Sequence, residues 1–130
     1  MQKARIFIVL LGISLPYIAR LPKGMVWLAQ YTDGGLDSFL FIEAFNAIAW
    51  GILLGVSFFY RHSISLAIPT ILGFGFLAWV HYTLDLAADA QSALAFIFIP
   101  IYACIPILIG GIFGYGLDKY LSSFRKIKDV

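Results

Sequence analysis

Charged side chains are scarce in this chain. Asp, Glu, Lys and Arg together make up 12% of its 130 residues, whereas hydrophobic residues make up 62%. A soluble domain carries about 25% charged and about 45–50% apolar residues. A soluble chain of this length has too much surface to hide so many apolar side chains. The composition therefore excludes an ordinary soluble domain and predicts a single integral membrane domain over residues 1–130.

Cysteine and histidine are scarce as well, with one Cys and two His in the whole chain. Cys104 cannot form an intramolecular disulfide, and its apolar surroundings predict a small side chain in the core. So few Cys and His side chains give no strong metal-site pattern. No Ser–His–Asp spacing stands out, and the GFGF stretch lies in an apolar segment, where a phosphate-binding loop is not expected. We therefore predict no enzymatic activity, no cofactor and no metal.

Four apolar segments organise the chain, and they lie at about residues 6–20, 39–60, 64–84 and 90–117. We predict an all-α polytopic membrane protein in which each segment is a transmembrane helix. The fourth segment is long enough to span with a tilt, and Pro100 and Pro106 supply kink sites. Residues 118–130 are predicted to form a basic cytoplasmic tail.

The first segment is short for a membrane span. Its apolar part of about 14 residues covers about 21 Å as a helix, against about 30 Å of hydrocarbon. Arg5 and Arg20 at its two ends could close part of this gap by extending their charged groups to the interface. The sequence MQKAR before it has the outline of a signal peptide, yet no A-x-A-like site follows. We therefore interpret this segment as a retained first helix.

The stretch between the first two segments is too polar to span a membrane. It contains Trp27 and Tyr31, and these residue types favour the membrane–water boundary. We predict a short interfacial helix over the sequence MVWLAQY, at 25–31, followed by a turn at TDGG.

Basic residues are distributed unevenly between the two ends of the predicted spans. If the N-terminus is cytoplasmic, the Lys and Arg side chains that fall inside are Lys3, Arg5, Arg61, Lys119, Arg125, Lys126 and Lys128. Those outside are Arg20 and Lys23, together with the acidic residues Asp33, Asp37, Asp85 and Asp89. This positive-inside bias predicts cytoplasmic N- and C-termini. The basic tail is expected to lie on anionic lipid through Arg125, Lys126 and Lys128.

Glu43 is a carboxylate within an apolar run, and Asn46 follows it three residues later. At helical rise, Glu43 lies roughly 7.5 Å below the outer boundary at Ser38. His81 lies roughly 6 Å below the same boundary at Asp85. Glu43 and His81 are therefore expected at similar depths on antiparallel neighbours. We predict a polar intramembrane cluster that consists of Glu43, Asn46, His81, Tyr82 and Asp85.

Three interpretations of Glu43 stay open, because an ionisable group at this depth is costly and usually faces the bundle interior or water. In the structural interpretation, Glu43 hydrogen-bonds His81, Asn46 or Tyr82 and stabilises the packing. In the transport interpretation, it takes up and releases a proton or cation along a polar path. In the recognition interpretation, a polar stripe at helical spacing, formed by Glu43, Asn46, Trp50 and Ser57, meets a polar group on a partner's membrane helix.

Small residues form two stripes at i, i+4 spacing. One consists of Ala47, Gly51 and Gly55 in the second apolar segment, and the other consists of Gly110 and Gly114 in the fourth. Such stripes let helix backbones approach closely. We predict that the second and fourth segments cross at these stripes, and identical copies are a further candidate for packing on them.

The size and helix number are similar to those of small multidrug-resistance exporters, small fluoride channels and the membrane immunity proteins that protect bacteria against pore-forming toxins. The exporters carry their essential Glu in the first helix, whereas Glu43 lies in the second segment. The Gly- and Asn-bearing pattern of the fluoride channels is not found.

We therefore predict a non-enzymatic, membrane-embedded binding or accessory subunit of a bacterial inner membrane, with an immunity-type inhibitor of a pore-forming partner as one form of it. The alternative is a small oligomeric proton- or cation-coupled transporter or channel that uses Glu43. The expected partners are the lipid bilayer and either identical copies or a larger membrane protein. Nucleic-acid binding is not expected, because the basic residues are few and flank the apolar segments.

Overall fold

The computed structural model describes residues 1–88 and 91–130 and contains five α-helices. The helices are α1 (Gln2–Ile18), α2 (Met25–Thr32), α3 (Gly35–Ser57), α4 (Ala67–Thr83) and α5 (Ala95–Lys128). Short 3-10 turns follow α1 at Leu21–Lys23 and precede α4 and α5 at Ser63–Leu66 and Ser92–Leu94. No β-strand occurs in the two described ranges, and the predicted all-α class is confirmed.

Within the two described ranges, four stretches are long and apolar enough to cross a membrane, and they are Gln2–Lys23, Gly35–Ser57, Ser63–Thr83 and Ser92–Lys128. Large apolar side chains cover the outer surfaces of these helices. Ile71, Ile112 and Phe113, for example, are 64–74% exposed. Such a surface is favourable against lipid and unfavourable against water, which is consistent with a membrane protein.

Helices α1, α3 and α5 each extend beyond one end of their predicted apolar segments. α1 begins at Gln2, so the first candidate span has 22 residues although its apolar part is short. The prediction placed the end of the fourth segment at 117, but α5 continues to Lys128. Its last turns contain Leu, Lys, Arg and Ser, which continue a helix at little cost once it has formed. The predicted start of the fourth segment at residue 90, and Asp89 before it, lie outside the described residues.

A short helix is present between the first two candidate spans, where MVWLAQY predicts one. α2 covers Met25–Thr32, and Tyr31 near its end is 1% exposed. Gly24 and Gly35 flank this connection with φ values of 94° and 62°, which a residue without a Cβ adopts readily. The location of α2 at a membrane interface stays a prediction.

Apolar side chains from all four long helices fill the interior of the bundle. The residues that are at most 1% exposed include Ile8 of α1, Ala49 and Leu53 of α3, Leu77 of α4, and Ala103 and Ile107 of α5. α5 packs along α4 and α3, and α1 packs against α3 and α4. The centre of the bundle is therefore a packed apolar core, and the buried polar groups lie at helix seams and at the two ends.

The two small-residue stripes do not face each other. An added Cβ at Gly51 or Gly55 would meet no atom within 4 Å, so this side of α3 faces away from its neighbours. An added Cβ at Gly110 would instead lie 2.7 Å from Cα of Pro69, and Gly114 is equally close to the connection before α4. The prediction that α3 and α5 cross at both stripes is therefore wrong. The α5 stripe accommodates α4 at Gly110 and the connection between α3 and α4 at Gly114, because i, i+4 spacing defines a small face without specifying which element packs on it.

Candidate functional site between the first and third helices

The contact between α1 and α3 contains a proline. Pro16 lies within α1 and has no backbone N–H, so it cannot donate to the carbonyl oxygen of Gly12 four residues earlier. The side-chain amide of Asn46 on α3 donates to this oxygen at 2.7 Å. A side chain from the neighbouring helix thus replaces the missing helical hydrogen bond and satisfies a buried carbonyl.

Gly12 also allows the two helices to approach closely. An added Cβ at Gly12 would lie 2.7 Å from Cβ of Trp50. Asn46 and Trp50 are four residues apart on α3, so both project toward the same part of α1. The absence of a side chain at Gly12 is therefore required by the position of Trp50.

Glu43 lies one turn from Asn46 on the same side of α3. Nδ2 of Asn46 lies 3.4 Å from Oε2 of Glu43. Four buried atoms of this region have no hydrogen-bond partner among residues 1–88 and 91–130, and they are Tyr17 Oη, Glu43 Oε1, Asn46 Oδ1 and Trp50 Nε1. We call Tyr17, Glu43, Asn46 and Trp50 the polar seam.

The polar seam offers both kinds of hydrogen-bonding group. Oxygens of Glu43 and Asn46 accept, whereas the Tyr17 hydroxyl and the Trp50 indole N–H donate. A buried polar group without a partner costs about 1–3 kcal/mol, and these four groups could together hydrogen-bond a polar species that both donates and accepts. In the part of the chain that the structure describes, no group of three or more His, Cys, Asp or Glu side chains could hold a metal ion.

A second polar centre lies where α1 ends. The Arg20 side chain is 0% exposed. It donates to three carbonyl oxygens, those of Trp27 at 2.8 Å, His81 at 2.9 Å and Leu84 at 2.7 Å. It also donates to Oε1 of Gln30 at 2.8 Å. Two of these carbonyls belong to the C-terminal end of α4, where the helix dipole is negative and compensates part of the buried charge.

Tyr31 connects α2 to this centre. Its hydroxyl shares a 2.8 Å hydrogen bond with Nδ1 of His81, and its ring lies 3.9 Å from the guanidinium carbon of Arg20. Burial raises the pKa of Tyr31 above its usual value, and Arg20 opposes part of this increase. The phenol therefore stays neutral at ordinary pH and presents its ring to the cation. We call Arg20, Gln30, Tyr31 and His81 the Arg20 centre.

The structure divides the predicted intramembrane cluster between these two sites. Glu43 and Asn46 belong to the polar seam, whereas His81 belongs to the Arg20 centre. In the described part of the chain, the His81 ring hydrogen-bonds Tyr31 and not Glu43. α2 places the Tyr31 ring against His81. This contact requires the connection between α1 and α3, which contains α2, to pack back on the bundle.

The remaining two residues of that cluster lie around the Arg20 centre. Asp85 accepts a hydrogen bond from the Gln30 amide at 3.1 Å. The Tyr82 side chain is 38% exposed, and the Lys23 ammonium lies 4.4 Å from its ring centroid. Asp85 and Tyr82 therefore belong to the end of the bundle around the Arg20 centre and not to the polar seam that contains Glu43.

Asp118 organises the opposite end of the bundle, and it is 2% exposed. Its Oδ1 accepts from the backbone N–H groups of Arg61 at 3.0 Å and His62 at 2.8 Å, and from the Ser65 hydroxyl at 3.2 Å. Nδ1 of His62 lies 3.0 Å from the same oxygen. Asp118 thus holds the connection before α4 against α5. Because residues near both chain termini lie here, we call this the terminal end.

Two further contacts stabilise the terminal end. Nε of Arg5 donates to the Ser57 hydroxyl at 2.9 Å. The Tyr60 hydroxyl donates to the carbonyl oxygen of Gly111 at 2.6 Å. Burial and, to a smaller extent, the Asp118 charge raise the pKa of Tyr60, so this hydroxyl keeps the proton that it donates.

Sequence reasoning missed Arg20, Gln30, Tyr31 and Asp118 as buried polar anchors. No local pattern pairs Arg20 with carbonyls that lie more than 60 residues away. One signal was available for the polar seam, since a proline inside a helix always leaves the carbonyl four residues earlier without its helical donor.

Two other predicted features lie outside both centres. Cys104 is half-buried, and its thiol donates to the carbonyl oxygen of Pro100 at 3.3 Å. Arg125, Lys126 and Lys128 are exposed on the last turns of α5, and their contact with lipid stays a prediction.

The fold is an all-helical bundle with four candidate membrane spans, a polar seam and an Arg20 centre. No protein-family model, curated protein or solved structure matches the chain significantly. Its function must therefore be inferred from its own geometry.

Proposed function

We propose that the chain is a non-enzymatic, membrane-embedded binding or accessory subunit whose partner is a larger membrane protein. An immunity-type inhibitor of a pore-forming protein is one form of this function. Such an inhibitor needs an apolar helical surface that a partner helix can recognise, and it needs little mass outside the membrane.

The packed interior supports binding over conduction. Leu53, Leu77 and Ile107 come from three different helices, and each is at most 1% exposed at the centre of the bundle. Dense apolar packing of this kind leaves a hydrated ion with no favourable route through the single chain.

The open glycine face of α3 carries the proposal. Gly51 and Gly55 lie on one side of a candidate span, and added Cβ atoms there would meet nothing within 4 Å. Ile48, which is 40% exposed, lies beside them on the helix surface. Small residues let a second helix approach closely in lipid, where van der Waals packing is a main source of association.

Site-specific photo-crosslinking in cells tests this proposal. A photoreactive residue at Ile48 should give one discrete protein adduct, and Gly51→Leu should reduce that adduct severalfold while stability is unchanged. A photoreactive residue at Ile71, which is 70% exposed on α4, serves as the matched lipid-facing control. Equal adducts at the two positions, or no effect of Gly51→Leu, would contradict a docking face on α3.

We further propose a bacterial inner-membrane location with both termini in the cytoplasm. Arg5, Arg61 and the basic end of α5 lie together at the terminal end, and this concentration of Lys and Arg supports the orientation. A reporter fused after Val130 should be cytoplasmic, and one inserted between Gly34 and Gly35 should be external. Detection of both reporters on one side of the membrane would contradict the four-span arrangement.

A small oligomeric proton- or cation-coupled transporter is the second candidate function. It is favoured by Oε1 of Glu43, which is buried and without a partner in the described chain. In proteoliposomes, this function predicts a proton or cation flux that Glu43→Gln abolishes, because an amide cannot exchange a proton. Asp37→Asn, an exposed change on the same helix, should leave the flux unchanged. Absence of any flux from reconstituted wild-type protein would reject this candidate.

A further inference from the structure

Two adjoining polar cavities lie at the terminal end, between the α3–α4 connection and the last turns of α5. Each has a volume of about 180 Å³, and Arg61, Ser122 and Lys126 line both of them. Arg125 lines one cavity and Lys119 lines the other. We call these five residues the basic cleft.

The basic cleft has an excess of positive charge. Four of its residues are cationic, while two carboxylates, Asp118 and Asp129, line the same cavities. Asp118 is already engaged, because its Oδ1 accepts from the backbone N–H groups of Arg61 and His62. Among residues 1–88 and 91–130, none of the four cationic side chains forms an ion pair. The cleft therefore complements an anion.

An apolar groove of about 450 Å³ adjoins the basic cleft between α3 and α5. Phe59 lines both this groove and one of the polar cavities, so the two spaces share a wall. Gly111 and Ile112 line the groove on α5. Tyr115 lines it as well, and its ring centroid lies 5.1 Å from the Lys119 ammonium of the cleft. A cationic site thus adjoins an apolar surface that faces out of the bundle.

We infer that the terminal end binds an anionic glycerophospholipid, with the headgroup phosphate in the basic cleft and an acyl chain in the apolar groove. Arg61 and Arg125 can each present parallel N–H donors to phosphate oxygens, whereas Lys119 and Lys126 supply compact positive charges. A free phosphate ion would use the cleft and leave the groove unused, so the combination of the two favours a lipid.

The length of α5 gives this site a suitable depth. Its 34 residues cover about 51 Å, which exceeds the hydrocarbon thickness of about 30 Å. The last turns of α5 therefore extend into the headgroup region, while Gly111 in the groove lies about two turns before Lys119 and about four turns before Lys126, closer to the membrane centre. Lys128 on the same turns lines neither cavity, so the site is distinct from a general attraction of basic residues to the membrane surface.

Lipid titration of the purified full chain tests the inference. Delipidated protein in detergent is titrated with phosphatidylglycerol, with zwitterionic phosphatidylcholine, or with inorganic phosphate, and bound lipid is measured by native mass spectrometry together with thermal unfolding. Phosphatidylglycerol should bind and raise the melting temperature more than either of the other two. Arg61→Gln and Lys126→Gln should each lower its affinity about fivefold, the effect expected for one basic residue near an anionic lipid.

Lys128→Gln is the matched control, because it removes the same charge from the same helix outside the cleft, and it should leave the affinity unchanged. Arg61→Gln keeps the backbone N–H that donates to Asp118. An unchanged melting temperature of this variant in phosphatidylcholine verifies that it is folded. Ile112→Trp, which fills the groove without changing charge, should also weaken phosphatidylglycerol binding. Equal losses for Lys126→Gln and Lys128→Gln, or equal stabilisation by phosphate and phosphatidylglycerol, would overturn the lipid site.

Discussion

The guanidinium of Arg20 donates a 2.7 Å hydrogen bond to the carbonyl oxygen of Leu84, although 64 residues separate the two in the chain. This bond joins the end of α1 to the end of α4. The partners of the buried cation are carbonyl and amide oxygens, so the negative end of a helix performs part of the role that a carboxylate usually has beside a buried Arg. The Arg20 centre is therefore an anchor that depends on the correct packing of three helices.

Arg20→Gln should destabilise the protein strongly, because several buried acceptors lose their donor at once. We expect the free energy of unfolding to fall by about 2–4 kcal/mol, measured by denaturant unfolding in detergent. Lys23→Gln is the control, since Lys23 makes ring contacts with Trp27 and Tyr82 at the surface, and it should cost less than about 1 kcal/mol. Similar losses for the two variants would show that Arg20 is not an anchor.

Asn46→Leu should destabilise the α1–α3 contact by about 1–3 kcal/mol, because the carbonyl of Gly12 loses its donor. Pro16→Ala restores a backbone N–H that can donate to the same carbonyl within α1. The loss caused by Asn46→Leu should therefore be smaller in a Pro16→Ala background, and a double-mutant cycle of unfolding free energies measures the difference. An identical loss in both backgrounds would contradict the role assigned to Asn46.

A large side chain introduced into the two small-residue stripes should affect stability differently. Gly114→Leu should lower the free energy of unfolding by about 1–3 kcal/mol or more, because the new side chain overlaps the Tyr60 hydroxyl and the Ser65 carbonyl. Gly51→Leu should change it by less than about 0.5 kcal/mol, because that position is open. Melting curves of the two variants in the same detergent provide the comparison, and a Gly114→Leu protein as stable as wild type would refute the close packing of α5 against the connection between α3 and α4.

Replacement of Asp118 should separate its acceptor role from its charge. Asp118→Asn retains an oxygen that can accept from the two backbone N–H groups, whereas Asp118→Leu leaves all of its donors without that acceptor. We expect a loss of about 3 kcal/mol for Leu and less than half of that for Asn. Asp129→Asn at the exposed end of α5 should have no measurable effect on unfolding. A Leu variant as stable as wild type would mean that water replaces the carboxylate without cost.

The helix content and the four candidate spans could be predicted from the sequence, because each depends on local composition. The runs around Leu53 and Ile107 are long and apolar, and in lipid the helix satisfies every backbone hydrogen bond within its own segment. The short helix before α3 was also predictable, from MVWLAQY and the TDGG turn after it. The continuation of α5 through its basic end was not, because a drop in hydropathy marks the edge of an apolar region and not the end of a helix.

Glu43 and Asn46 were recognised from the sequence as unusual polar residues in an apolar run, whereas Pro16 was not singled out. Only the tertiary structure decided that Asn46 satisfies the carbonyl freed by Pro16, that His81 contacts Tyr31, and that Gly110 accommodates α4 rather than α3. Periodicity determines which side chains share a face of one helix. The rotation and neighbours of that helix follow from packing among all the helices and from anchors such as Arg20, whose partners are distant in the chain.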